Sequence, residues 1–175
     1  MQLPDSDRLT YQQITADDWP FFLQLQQNPA VMQFIADPLP ETFIREAFTT
    51  RLPPWQPGAA HWLCLLMRDK ESGSPVGVTG YIHRDSDLAE VGFLLDPAWQ
   101  GLGYGYESLR AVCRYAFREG GIRKLSATVT AGNEASRNLL IKIGFRQEGT
   151  LRESWWLHEK WHDDWLFGLL RHEFR

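Results

Sequence analysis

The chain has 175 residues, of which 43 % are hydrophobic and 23 % are charged, and its formal net charge is −4. This is the composition of a globular protein that is long enough to bury a sizeable core, so we expect a single domain over residues 1–175. The negative charge disfavours a nucleic-acid partner bound through its phosphates. The first residues do not resemble a signal peptide and no apolar run is long enough to span a membrane, which predicts a cytoplasmic protein with no membrane partner.

Apolar periodicity and turn signals divide the chain into the strands and helices of a mixed α/β protein. In chain order they predict a strand over 8–14; helices over 15–28, 30–35 and 41–51; strands over 61–68, 75–83 and 88–95; a helix over 104–119; a strand over 124–129; a helix over 133–143; and strands over 145–157 and 161–170. The strands on either side of the 104–119 helix should be parallel, because a helix joins them. In the 41–51 helix the residues predicted to be buried are Phe43, Ile44, Ala47 and Phe48.

Both cysteines and several tryptophans have an ordinary structural interpretation. Cys64 and Cys113 lie in apolar patterns without CxxC spacing, so we expect reduced core residues. Trp55 follows two prolines in a loop, and it either covers the core or lines a substrate entrance. On the last two strands tryptophans alternate with polar residues, which favours core and cross-strand packing over substrate stacking. These tryptophans are Trp155, Trp156, Trp161 and Trp165.

The stretch from Ala89 to Gly105 carries the strongest functional signal. It contains an apolar strand with Glu90 as its one carboxylate, a break at Asp96-Pro97, and a glycine-rich loop before a helix. Glycines at alternate positions allow a tight loop, and the free amides of the first helical turn add further donors. Together these features predict a phosphate-binding loop beside Glu90. A glycine-rich turn that binds no ligand is the alternative.

Three known glycine-rich patterns can be compared with this loop. A Walker loop requires Gly-Lys-Ser/Thr, whereas Gly105 is followed by Tyr106-Glu107. The dinucleotide fingerprint G-x-G-x-x-G follows the first strand, whereas here the spacing is G-x-G-x-G and the loop comes late in the chain. The third pattern is Gln/Arg-x-x-Gly-x-Gly/Ala, which Gln100-x-x-Gly103-x-Gly105 matches. That pattern resembles the acetyl-CoA loop of the GNAT N-acetyltransferase superfamily.

Other segments extend this resemblance to nearly the whole chain. The superfamily's second motif is similar to the run Asn133-x-x-Ser136-x-x-Leu139-Leu140-x-Lys142-x-Gly144-Phe145. The opening residues 8–32 and the ending 161–170 resemble the RimJ/RimL-like branch, which includes acetyltransferases of ribosomal-protein N-termini. The resemblance implies the GNAT acyl-CoA N-acyltransferase fold. This is an α/β (α+β) fold whose mixed, mostly antiparallel sheet is splayed at a parallel strand pair, with helices on both faces.

The same resemblance implies a set of site residues. Glu90 stands where several members of the family place the general base, and Ser136 where a serine is proposed to serve the thiolate in RimL-like enzymes. Backbone N–H groups from Phe93 to Leu95 would bind the oxyanion and the pantetheine amides. The residues expected to bind acetyl-CoA are Phe93, Leu94, Leu95, Gln100, Gly101, Leu102, Gly103, Tyr104, Gly105, Asn133 and Ser136.

The identity of the general base has competing interpretations. An amine is protonated at neutral pH and must lose a proton before it attacks a thioester. Glu90 is the best-placed carboxylate, but it can instead pair or cap locally. His61 or His83 is then the alternative base. The five histidines form no H-x-x-x-H pair on a predicted helix and have no cysteine partner, and we expect no metal.

The general acid is open as well. Many relatives use a tyrosine at the position that Leu140 occupies here, and Phe167 stands where the branch often has a further tyrosine. Ser136 is the remaining hydroxyl of the motif, and helix capping is its alternative role. Asn133 either holds pantetheine and orients the loop or is an ordinary helix cap.

The predicted function is that of an enzyme, an acetyl-CoA-dependent N-acetyltransferase that acts on a primary amine by direct transfer in a ternary complex. The preferred acceptor is the N-terminal α-amine of a protein or peptide. A small-molecule amine such as an amino acid, a polyamine or an aminoglycoside is one alternative, and a non-catalytic acyl-CoA-binding or sensing domain is another. Acetyl-CoA is expected as co-substrate, and the chain as a monomer or a homodimer.

Overall fold

A seven-stranded sheet runs through the computed structural model, which describes residues 2–175. The strands are Leu9–Gln13 (β1), Leu63–Asp69 (β2), Pro75–His83 (β3), Leu88–Leu95 (β4), Lys124–Thr130 (β5), Arg146–Leu157 (β6) and Lys160–Leu170 (β7). They lie in the order β1-β2-β3-β4-β5-β7-β6. Every neighbouring pair is antiparallel except β4 and β5. The mixed, mostly antiparallel sheet is therefore confirmed.

Five helices cover the two faces of this sheet. They are Trp19–Gln27 (α1), Pro29–Met32 (α2), Glu41–Thr50 (α3), Tyr104–Arg118 (α4) and Glu134–Ile143 (α5). Alternate residues of β2 belong to two separate apolar clusters, because successive side chains of a strand point to opposite faces. Leu63 and Leu65 pack with α4 and α5 in one cluster, and Cys64 and Leu66 pack with α1, α2 and α3 in the other. Helices on both faces, as predicted, are thus confirmed.

The parallel strands β4 and β5 separate soon after they begin. Their pairing consists of Leu88 with Lys124, Ala89 with Leu125 and Glu90 with Ser126. Beyond these pairs β4 stays on β3 as far as Leu95, while β5 stays on β7. We call the opening between the two strands the β4–β5 gap. It is the splayed parallel pair that the sequence predicts.

One edge of β4 has free backbone donors along this gap. Asp96 N–H donates to Val76 O at 2.9 Å, and these two residues face each other across the β3–β4 ladder. Hydrogen-bonded pairs alternate along an antiparallel ladder, so the N–H groups of Gly92 and Leu94 point to β3. Those of Phe93 and Leu95 consequently point into the gap. Of the predicted run 93–95, Leu94 therefore does not present its N–H to the gap.

Two predictions of burial are wrong. In α3 the buried residues are Ile44 and Phe48, whereas Phe43 is 55 % exposed, because the face that contacts the sheet is narrower than the apolar pattern. Three of the four tryptophans on the last two strands are also not core residues. Trp155 and Trp156 are exposed on the edge strand β6, and Trp161 is exposed opposite Trp156, next to the turn between β6 and β7. Trp165 is partly buried and packs against the core, as predicted.

Other aromatic and sulfur side chains lie where the sequence predicts. Trp156 and Trp161 face each other across β6 and β7 with ring centroids 5.2 Å apart, so the cross-strand contact is confirmed. Trp55 is buried and its ring meets the edge of Tyr81, which agrees with the core interpretation of this residue. Cys64 and Cys113 are free and buried. Between residues 2 and 175 the structure contains no helix that is long and apolar enough to cross a membrane.

Candidate active site

A cavity of about 600 Å³ opens in the β4–β5 gap. Two of its walls are residues 90–94 of β4 and 127–130 of β5, and the start of α5 adds Asn133 and Ser136. The cavity therefore brings together Glu90, Phe93, Leu94, Asn133 and Ser136 of the predicted site. Leu95 and the loop over 100–105 do not line it. The loop lies just outside, because it follows directly on the end of β4.

The glycine-rich loop has the geometry of an anion-binding turn. Gly101 and Gly103 have φ angles of 74° and 86°, a left-handed conformation that is open to glycine at little cost. The first main-chain bond of α4 is from Glu107 N–H to Gly103 O at 3.1 Å. Among residues 2–175, the N–H groups of residues 101–106 consequently donate to no main-chain carbonyl. Such a set of free donors at a helix N-terminus fits a diphosphate.

Several residues of the loop make hydrogen bonds that hold the loop against the rest of the protein. The Gln100 amide donates to Leu95 O at 3.0 Å, which fastens the loop to the end of β4. The Tyr104 hydroxyl donates to Asp69 Oδ1 at 3.2 Å and is buried. Leu102 is exposed, and its carbonyl accepts from Arg8 Nη1 at 2.9 Å. The side chains of Gln100 and Tyr104 are therefore engaged within the protein.

A charged network joins this loop to the N-terminal segment. Arg8 Nε lies 2.7 Å from Glu107 Oε1, and the Arg8 guanidinium lies over the Tyr104 ring at 4.0 Å. The Ser6 hydroxyl donates to Glu107 Oε2 at 2.6 Å. Burial alone would raise the pKa of Glu107, but the hydrogen bonds from Ser6 and Arg8 outweigh it and hold this pKa below its ordinary value. Sequence analysis missed the network, because about 100 residues separate Arg8 from Glu107.

Glu90 lies at the inner end of the β4–β5 gap. It is the last residue of β4 that pairs with β5, and its side chain lines the cavity. Arg84 Nη2 lies 3.3 Å from Glu90 Oε2, so the local pair that sequence analysis left open does form. Half of the Arg84 side chain is exposed, and a pair in such a position is weak. Neither His61 nor His83 lines the cavity.

Asn133 and Ser136 have different roles in the structure. Asn133 is the N-cap of α5, and its Oδ1 accepts a hydrogen bond from Ser136 N–H at 3.3 Å. The capping interpretation therefore holds for the side chain of Asn133, and only for the backbone of Ser136. The Ser136 hydroxyl makes no hydrogen bond to any other residue from 2 to 175, and the residue lines the cavity. Leu140 is buried and lines the same cavity.

Two ionisable cavity residues were missed by sequence analysis. Asp164 lies on β7, and Thr130 Oγ1 donates to its Oδ1 at 3.5 Å. Burial raises the pKa of Asp164, although hydrogen bonds from Ser154 and Thr130 act against this. Arg51, just after α3, also lines the cavity. The only signal was a polar residue inside or beside an apolar pattern, which does not identify a cavity.

The rim of the cavity on the α2 side is apolar and accessible. Ile35 is 39 % exposed and Trp155 is 43 % exposed, and both line the cavity. Trp155 Nε1 donates to Ile35 O at 2.9 Å, so the edge strand β6 is joined to the segment after α2. The arrangement can therefore contact the apolar part of a bound molecule at the entrance while carboxylates line the interior.

Comparisons with known proteins agree with this geometry. A family model described as an acetyltransferase (GNAT) domain matches residues 8–146. The uncharacterized N-acetyltransferase YnaD of Bacillus subtilis (strain 168) is 23 % identical over 168 residues, which cover 95 % of this chain and 96 % of YnaD.

Two solved structures are similar over almost their whole length. RimL, a ribosomal α-N-protein acetyltransferase solved with coenzyme A, superposes with a TM-score of 0.83 at 22 % identity, covering 96 % of this chain and 97 % of RimL. The spermidine N-acetyltransferase of Vibrio cholerae, solved with CoA and spermine, has a TM-score of 0.81 at 19 % identity, with coverage of 95 % and 97 %. These likenesses show the fold, and the family model spans most of the chain. The chain belongs to the GNAT acetyltransferase family and is an N-acetyltransferase that acts on amines.

Proposed function

We propose that this protein transfers the acetyl group of acetyl-CoA directly to the N-terminal α-amine of a protein or peptide. The observation that carries the proposal is the β4–β5 gap, which has Glu90 at its inner end and free backbone donors along one edge. The glycine-rich loop lies at the outer end of the same strand. An acyl donor and an amine can therefore meet between the two strands.

Backbone groups would hold the acetyl-CoA. The N–H groups of residues 101–106 would accept the diphosphate at the start of α4. The N–H groups of Phe93 and Leu95 would pair with the pantetheine amides as an added strand does, and one of them would bind the thioester oxygen. Asn133 would act indirectly, since its side chain is used to cap α5.

Two side chains would assist the reaction, one by accepting a proton and one by donating a hydrogen bond. Glu90 accepts a proton from the acceptor amine, whose nitrogen then attacks the thioester carbon. A C–N bond forms, the C–S bond breaks, and the negative charge that develops on the carbonyl oxygen is stabilised by the backbone donors. The Ser136 hydroxyl donates a hydrogen bond to the departing thiolate, which takes up the second proton that the nitrogen loses as the amide forms.

The rim of the cavity supports a peptide as acceptor. Ile35 and Trp155 present exposed apolar surface at the entrance, which suits the side chains of a peptide. RimL, by its name, acts on a protein α-amine. A polyamine is the second candidate, because Glu90 and Asp164 place two carboxylates in the cavity and a spermidine acetyltransferase shares the fold. Arg51 in the same cavity would repel a polycation, which favours the peptide.

The experiment is a thiol-release assay with acetyl-CoA and a panel of N-terminal peptides, amino acids, polyamines and aminoglycosides. Mass spectrometry of each product locates the acetyl group. We expect release with peptides, and acetylation at the α-amine. Faster release with spermidine would replace the peptide by a polyamine. No release with any acceptor, together with CoA binding by calorimetry, would indicate a sensing domain instead of an enzyme.

A further inference from the structure

Arg51 is a partly buried cation without an acidic partner among the residues that the structure describes. It follows α3 and lines the active-site cavity. Its Nη1 donates to Ala47 O at 2.7 Å, and its guanidinium carbon lies 5.7 Å from the Trp62 ring centroid and 5.9 Å from that of Phe22. Over residues 2–175, no carboxylate oxygen lies within 4.0 Å of its side chain.

An unpaired charge in this position is costly. Burial lowers the pKa of Arg51, because desolvation disfavours the charged form. A guanidinium nevertheless stays protonated in proteins, so its desolvation lowers the free energy of unfolding. The carbonyl of Ala47 satisfies one of five N–H donors as a helix C-terminal contact would. That contact does not require the side chain to lie among aromatic rings and beside a cavity.

The cavity is lined by side chains of both charge signs, and these charges indicate which kind of molecule it can bind. Glu90 and Asp164 bear the negative groups, which suit an amine, and Arg51 bears the positive group. A planar guanidinium is matched best by a carboxylate, with which it forms two parallel hydrogen bonds. A molecule that carries both an amine and a carboxylate would satisfy both sets.

We propose that Arg51 binds a carboxylate of the acceptor and thereby selects amines that bear an acidic group nearby. The proposal rests on the proposed function and specifies its substrate class. The carboxylate has two possible sources: the side chain of an aspartate or glutamate at the peptide N-terminus, or the α-carboxylate of a free amino acid. Arg51 touches the acceptor in either case, and it takes no part in proton transfer.

The test compares acceptors that differ only in the carboxylate. Peptides that begin with Asp or Glu are paired with peptides that begin with Asn or Gln, and free amino acids are paired with their carboxamides. We expect the wild-type kcat/KM to be at least about tenfold higher for the acids, because a bidentate charged pair exceeds a neutral hydrogen bond. Preference in the peptide pairs identifies a side chain, and preference in the amino-acid pairs identifies an α-carboxylate.

Arg51→Gln should abolish this preference while leaving the KM for acetyl-CoA unchanged. The matched control is Arg45→Gln, an exposed arginine of α3 that does not line the cavity; it should keep the preference. Arg51→Lys, which retains the charge without the planar fork, should keep part of it. Equal losses for acids and amides in Arg51→Gln would overturn the proposal, as would a wild-type enzyme that treats both alike.

A binding measurement separates failure of this proposal from failure of the proposed function. Calorimetric titration of the acid and amide acceptors into the CoA-saturated protein does not depend on turnover. Tighter binding of the acids by the wild type, and not by Arg51→Gln, would support the carboxylate site even if no acceptor were acetylated. If Arg51→Gln does not fold, the wild-type comparison of acids with amides still decides, and equal affinity would refute the site.

Discussion

Glu90 lies at the residue where the pairing of β4 with β5 ends. Its backbone still pairs with Ser126, but the next residues of β4 have left β5, so the carboxylate faces open space. Its partner Arg84 is half exposed, and the pair is 3.3 Å long. Water can screen an ion pair of this kind, which leaves the carboxylate available to accept a proton.

Glu90→Gln should lower kcat by about 100-fold or more, because general-base assistance contributes factors of this size. The KM for acetyl-CoA should change little, since no backbone donor is altered. The activity of the variant should rise steeply with pH as the acceptor amine loses its own proton. Initial rates of thiol release measure both effects. Glu46→Gln, on the exposed side of α3, is the matched control and should retain wild-type activity.

Ser136 and Asn133 can be distinguished because only one of them supports the fold with its side chain. Ser136→Ala should leave the melting temperature unchanged, since its hydroxyl makes no hydrogen bond within residues 2–175, and should lower kcat about tenfold if the thiolate loses a donor. Asn133→Ala removes the cap of α5 and should cost about 1 kcal/mol of unfolding free energy. Thermal unfolding and initial rates test both. A lower melting temperature for Ser136→Ala with normal turnover would refute its catalytic role.

At the scale of elements, the glycine-rich loop is held in place by the residues that precede β1. Arg8 reaches Leu102 O on one side and Glu107 on the other, so the residues before β1 fix both the loop and the first turn of α4. The left-handed glycines alone would allow the loop many conformations. The contacts of Arg8 with Leu102 O and Glu107 therefore restrict the conformation of the loop.

Glu107→Gln should destabilise the protein at pH 7 by about 1.5 kcal/mol, as expected for hydrogen bonds to a charged group. The pKa of Glu107 in the folded protein is lower than its ordinary value of 4.5. The stability it contributes is therefore fully present above this value and is lost as the pH falls through the lower folded pKa. Chemical denaturation of both proteins across this range should show the difference shrinking to zero in acid. A constant difference would contradict the role of the charge.

Local patterns were sufficient for most elements, and long-range contacts were not predictable. The bounds of β3 and β4 agree with the prediction, because turn residues flank both strands. Glu90 and the glycine-rich loop could be identified because one continuous segment carries them. Arg51, Asp164 and the contact of Arg8 with Glu107 arise between distant elements, and no local pattern encodes them.

For the whole molecule, the order of the strands explains why the predicted burial of the tryptophans on β6 was wrong. The tryptophans of β6 and β7 alternate with polar residues, as apolar residues do in half-buried strands. Alternation does not indicate which strand lies at the edge of a sheet. Because β6 lies there, Trp155 and Trp156 are exposed, and Trp155 becomes part of the cavity rim. A residue expected in the core thus belongs to the candidate acceptor site.

The most direct test is a crystal structure of the protein with CoA. We predict that the diphosphate lies on the amides of residues 101–106, that the pantetheine follows the free edge of β4 at Phe93 and Leu95, and that the thiol lies in the β4–β5 gap near Ser136. This position would put the acetyl group within reach of an amine beside Glu90. CoA bound elsewhere on the molecule, with the gap closed or empty, would contradict the mechanism.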